Sequence, residues 1–347
     1  MKRVIKNKVW VLAVLVIMVV VAGLFSGCQS QNDGGALPKK VNIGYLRVPN
    51  DETVSKTRDI FDAYFNELGV PYEFIVFDSG VDANKALASG SIDFATMGNT
   101  NGIIALSRGI DVELIWIHEV LGEIEGLAVK NGSNITKPED LVGQKIATPF
   151  ASTAHYSLLN YLKEAGIKDQ VQLLDMQTSE IVAAWERGDI NAAYTWQPTL
   201  GDLEKNGSIL VNSAEMAKKG YVTANVCLVR KEFSKNYPDL VAGFVKGLSE
   251  GGDLYRSNPQ EAAESVAAEL GITAENALMQ MTGSIWLTPE EQLGSDYMGS
   301  VGKPGNFSKI MKDTADFLQS QKSIDNSPSQ EEFDAFINST YIEMSLE

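Results

Sequence analysis

Apolar and polar positions change period repeatedly along the chain, and each change marks an element. Residues 41–48, "VNIGYLRV", alternate as a strand does, and residues 53–68 then carry helical spacing that stops at Gly69 with Pro71 behind it. "YEFIVF", "IDFATMG" and "DVELIWIHEV" are further predicted strands, with helices over "VDANKALASG" and "NTNGIIALSRG" between them. The rhythm restarts after Lys130, where "ITKPEDLVGQ" opens a helix with Thr136 as its cap and Pro138 in its first turn. Strands over "KIATPF", "VQLLDM", "INAAYTW" and "SILVN" follow, alternating with helices over "STAHYSLLNYLKEAG", "SEIVAAWERGD" and "QPTLGDLEKNG". "TANVCLVRKEF" then leads back to long helices. Such alternation predicts an α/β chain of parallel layers. One lobe is expected over residues 41–128 plus 228–347, with a second lobe, residues 129–227, inserted in it. Crossings near 125–130 and 225–230 form the hinge, and a ligand belongs in the cleft between lobes, at the carboxyl ends of strands.

The first residues break the pattern. "MKRVIKNK" is basic, residues 9–27 are almost wholly apolar, and small Ser26 and Gly27 precede Cys28. This is the layout of a secretory signal, and "LFSGC" resembles the lipobox of bacterial lipoproteins, with Phe25 as its one unusual residue. The resemblance implies cleavage after residue 27 and a lipid on Cys28; the alternative is a retained membrane helix, for which 19 residues suffice. Either way the remainder faces outward, at the outer face of the cytoplasmic membrane or in a periplasm. Residues 28–40, polar and Gly- and Pro-containing, read as a flexible tether.

Without its first 27 residues the chain has 25 basic and 45 acidic residues, a formal charge of −20. So acidic a surface argues against nucleic acid as a partner. Cys227, inside the apolar run "NVCLV", reads as a buried core residue, so no disulfide framework is expected. His118 and His155 are the two histidines, and there is no CxxC or HExxH, so neither a metal nor another cofactor is expected.

"FASTAHYSLL" places Ser152 and Thr153 at a strand-to-helix turn, where free N–H groups and the helix dipole favour an anion. The plainer reading is an ordinary serine cap. His155 has no GxSxG and no orienting acid nearby in sequence, so it reads as a packing or hydrogen-bonding residue and not a catalytic base. "TMGNTNG" repeats the geometry with Asn99 and Thr100, "DMQTSE" puts Gln177 at a strand end, and "YTWQP" does the same for Trp196. Trp185 in "AAWERGD" reads as core.

"FDSG", "ALASGSID", "ITKPEDLVGQKIATPF", "STAHYSLL", "IVAAWERGDINAAYTWQP" and "LVRKEF" together resemble the taurine-binding proteins of bacterial ABC importers, with their aliphatic-sulfonate and nitrate-binding relatives. The likeness runs from about residue 41 to 233 and more loosely beyond. It implies a type II periplasmic-binding fold, each lobe a mixed sheet flanked by helices, that closes on a ligand as a monomer. It also implies a permease and its ATPase as partners, and no catalytic residues. On that reading Ser152, Thr153, His155 and Gln177 surround a sulfonate, Asn99 and Thr100 face it from the other lobe, and Trp196 packs on the spacer.

The other end departs from the family. Many members have an aspartate where this chain has Asn225, and an amide does not pair an ammonium as a carboxylate does. Glu119, Glu123 and Glu125 in "HEVLGEIEG" are candidates to supply that charge, Glu119 first; the bland alternative is a solvated acidic face. Leu46 stands where a polar residue is expected. The expectation is therefore a lipid-anchored receptor for taurine or a related small organosulfonate. The alternatives are a receptor for a cationic or quaternary amine, and an enzyme of the thiamine-precursor type on the same fold.

Overall fold

The structure is a computed structural model and describes residues 37–347. The signal segment, Cys28 and most of the tether lie outside the described residues. The first sheet is begun by β1 (Val41–Leu46), β2 (Tyr72–Phe77), β3 (Phe94–Gly98) and β4 (Val112–Val120). The second comprises β5 (Glu125–Lys130), β6 (Lys145–Thr148), β7 (Gln172–Asp175), β8 (Ala192–Trp196) and β9 (Gly207–Asn212). The chain then returns to the first sheet as β10 (Ala224–Arg230). Strand orders are β2-β1-β3-β10-β4 and β7-β6-β8-β5-β9. Each sheet is parallel except at its crossing strand: β10 runs antiparallel to β3 and β4, and β5 antiparallel to β8 and β9. A strand entering from the other lobe arrives from the opposite end, which makes both sheets mixed.

The crossings are residues 121–124 and 218–223, a few positions before the expected boundaries at 128/129 and 227/228. The segments read as hinge are themselves strands of the two sheets, β5 and β10. Gly122 lets the first crossing pass closely, since a Cβ there would sit 2.4 Å from the Gly283 carbonyl oxygen.

Helices cover both faces of each sheet, so β4 is buried along all nine residues and β1 at five of six. Those relevant below are α1 (Asp51–Thr57), α2 (Gly80–Ser89), α3 (Asn99–Ser107), α4 (Thr153–Glu164) and α5 (Thr178–Arg187). The helix expected over 53–68 stops at Thr57, because Asp59 turns to a left-handed φ of 53°. Two short 3-10 turns follow, putting Phe61 and Phe65 in the core with Phe244, which stacks on Phe61 at 4.9 Å. Near Thr136 there is only a 3-10 turn, Pro138–Leu141, and its capping runs backwards: Asp140 accepts from the Thr136 N–H and hydroxyl and from the Lys137 N–H. Among the described residues no helix is long and apolar enough to cross a membrane.

Candidate functional site

The lobes meet at a cleft lined by residues of both. Three helices begin on it. Ser79, Gly80 and Val81 line it from the start of α2, Gly98 and Asn101 from that of α3, and Ser152 and Thr153 from that of α4. First-turn N–H groups have no partner within their helix, and each dipole adds partial positive charge there. Three such ends converging put partial positive charge on the cleft without any cationic side chain. Leu46, Val48, Leu121, Ile124 and Trp196 form an apolar wall.

Ser152 is both cap and cleft residue. Its hydroxyl accepts from the His155 N–H (3.1 Å) and donates to the Pro149 carbonyl (2.6 Å). The turn before it is strained, with Ala151 at φ 61°, and two contacts hold it. The Ala151 N–H donates to His155 Nδ1 (3.3 Å), and its carbonyl accepts from Asn101 Nδ2 of the other lobe (2.9 Å). His155 does not itself line the cleft. It stacks on Phe150, centroids 4.3 Å apart and nearly parallel, and Phe150 does line it. Burial holds the His155 imidazole down at about 4, partly countered by Asp175, so the ring is neutral and available as the acceptor for Ala151.

Of the other sequence candidates, Thr153, Trp196 and Asn225 line the cleft. Asn99 and Thr100 are fully buried behind it; Asn99 Nδ2 and Thr100 Oγ1 have no partner among the described residues. Gln177 precedes α5 at half-buried depth and is not part of the lining. Asn101 was overlooked by the sequence reading: with Gly98 as the helix cap, position 101 and not 99 or 100 turns to the cleft.

The three glutamates separate. Glu123 is exposed. Glu119 is fully buried one layer behind Asn225, accepting from its Nδ2 at 2.6 Å. Glu125 lines the cleft and is also fully buried. Its carboxylate accepts from Ser213 (2.6 Å), Thr223 (3.2 Å) and Thr153, tying the two crossings to the start of α4. Burial pushes its pKa up to about 7, against the pull of those three hydroxyls. Deeper still, His118 donates to Asp51 (2.5 Å) and lies 2.8 Å from Thr96, whose hydroxyl donates to Glu52. Cys227 is buried beside this network, its thiol pushed up to about 11 by burial.

Gly98 and Thr153 meet across the cleft: a Cβ on Gly98 would lie 2.7 Å from Thr153 Cγ2. Gly98→Ala should therefore oppose closure, weakening ligand capture about tenfold, the low end of an overpacking cost of roughly 1–3 kcal/mol. The melting temperature of the ligand-free chain should hardly change. Calorimetric titration and scanning calorimetry on the same samples check both halves.

A family model described as "NMT1/THI5 like" matches residues 62–262. The chain is 35% identical over 274 residues to the taurine-binding periplasmic protein of Escherichia coli K12, covering 77% of this chain and 83% of that one. The alkanesulfonate-binding protein SsuA from Xanthomonas axonopodis pv. citri, solved with MOPS bound, superposes with a TM-score of 0.70 at 19% identity, over 85% of this chain and 96% of that one. The desulfurization enzyme DSZB has the same fold, with a TM-score of 0.63 at 17% identity over 89% and 99% of the two chains.

Proposed function

The chain belongs to the NMT1/THI5-like family, and from that premise we propose that it is the extracytoplasmic substrate-binding protein of an ABC importer. Its ligand is taurine or a related small organosulfonate, delivered to a permease and its ATPase. Cys28 carries the lipid that holds it at the membrane. The observation that carries this reading is the meeting of three helix starts, of α2, α3 and α4, on one interlobe cleft that is also lined by the buried carboxyl of Glu125, bound to Thr153 at the start of α4. A sulfonate has three acceptor oxygens and a permanent negative charge, which suits a nest of neutral donors. Likeness to the E. coli taurine-binding protein supports the ligand class.

On closing, the lobes desolvate both ligand ends; the closed form, held by contacts such as Asn101 to Ala151, is the one selected by ligand. A cationic amine is the second reading, favoured by Glu125 with Trp196 beside it in the β5–β8 register. For an enzyme, Cys227 is the one cysteine among the described residues, and it sits in the core of the first sheet instead of on the cleft.

Calorimetric titration of the full-length chain with taurine and isethionate tests the proposal. Binding at about 1 μM or tighter, near −8 kcal/mol, is expected for at least one of them. Heat from neither, with heat from a quaternary amine, would transfer the assignment to the second reading.

A further inference from the structure

Asn225 stands on the cleft wall at 7% exposure. Its Nδ2 is committed to Glu119, and its Oδ1 has no partner among the described residues. Glu119 is itself 0% exposed, and its Oε2 is unpartnered. An amide has a donor end and an acceptor end, and whichever end Glu119 engages leaves the other for the ligand. We propose that Glu119 is a specificity-setting positioning residue: by holding Asn225 Nδ2 it turns the Asn225 carbonyl oxygen into the cleft, so that the site takes ligands whose non-anionic end donates a hydrogen bond and rejects those whose second end only accepts. This rests on the sulfonate reading for the choice of probes, and it goes beyond that reading in naming what the second end must be.

The mechanism has a titratable component. An ionised Glu119 only accepts, which fixes Nδ2 toward it. A protonated Glu119 donates, and can engage Oδ1 instead, presenting Nδ2 to the ligand. Burial pushes the pKa of Glu119 up to about 8, while His118 and Asn225 pull it down and Asp51 pushes it up. Both forms are thus accessible near neutrality. The groups that face it are His118 from β4 and Asp51 from α1, with Asn50 capping α1; Glu52 lies beyond His118, and Glu125 belongs to the cleft itself. Discrimination in favour of donor-ended ligands should accordingly rise with pH.

The test compares isethionate, whose hydroxyl donates, with sulfoacetate, whose carboxylate only accepts, on the full-length chain and on Glu119→Gln between pH 6 and 9. The wild-type chain should prefer isethionate, with the ratio of affinities widening about tenfold across that range. Glu119→Gln should flatten the slope to what Glu125 alone contributes. In parallel, protection of the Asn225 side-chain amide from hydrogen exchange, followed by NMR without ligand and corrected for the intrinsic rate, should rise between pH 6 and pH 9 in the wild type and stay level in Glu119→Gln, whose carbonyl accepts from Nδ2 but does not titrate. Equal affinity-ratio slopes in the two chains, or an equal pH dependence of amide protection, would overturn the proposal. If no sulfonate binds, the sulfonate reading falls while the amide-exchange result still decides the role of Glu119.

Discussion

The ligand-free chain should lose stability as pH rises from 5 to 8, by about 10 °C or more in melting temperature. Three fully buried carboxyls carry folded-state pKa values raised by burial: Glu52 and Glu125 to about 7, and Glu119 to about 8. Between the unfolded value of 4.5 and these folded values the native chain binds more protons than the unfolded one, so stability falls with rising pH. Ionising one such group in place costs on the order of 3 kcal/mol. Burial works against the His118 imidazolium, but Asp51 beside it more than offsets this, and its pKa stands well above the ordinary value. The stabilisation it gives is complete below about 6.5 and is lost as pH climbs through its folded value, the same direction again. The lowered acids, such as Glu269 and Asp82, act only on acidification below about 4.5. At roughly 1.5 °C per kcal/mol for a chain of this length, even partial additivity of the three groups gives the stated shift. Scanning calorimetry at pH 5 and pH 8 measures it, and a midpoint that is level or rises would refute the assignment of these groups as buried proton carriers.

Much of the architecture was legible in sequence because parallel α/β layers write strands and helices in alternation, as "YEFIVF" and its neighbours do. What the alternation did not carry was where one lobe hands over to the other. β5 and β10 have apolar middles between polar ends, like the other strands, and their assignment to a sheet is decided by tertiary pairing, not by local pattern. The site was legible where helix starts announce themselves, as at Ser152 and Thr153. It was not legible at Asn101, since a one-residue change in helix start moves the exposed position by about 100°. Nor did the sequence rank the three glutamates. One is solvated, one lies behind the wall and one is on it, and that separation comes from Glu125 meeting hydroxyls 28, 88 and 98 residues away.

Glu125→Gln should make the ligand-free chain more stable and a worse receptor at once. The amide is nearly the same shape, and the hydroxyls of Thr153, Ser213 and Thr223 can rotate to donate to its oxygen or accept from its nitrogen. What disappears is the cost of a buried negative charge, so the melting temperature at pH 8 should rise by several degrees and part of the pH dependence above should vanish. The same charge is what an ammonium on the ligand would meet. A desolvated, charge-assisted pairing contributes about 2–3 kcal/mol, so taurine affinity should drop roughly 30- to 150-fold while isethionate loses much less. The two readouts moving in opposite directions distinguish a strained binding group from a structural one, because a purely structural clasp between the crossings would lose stability and affinity together. Titration of both ligands and scanning calorimetry of both chains decide it. Equal losses for taurine and isethionate would remove Glu125 from ligand recognition and leave it as the hinge clasp alone.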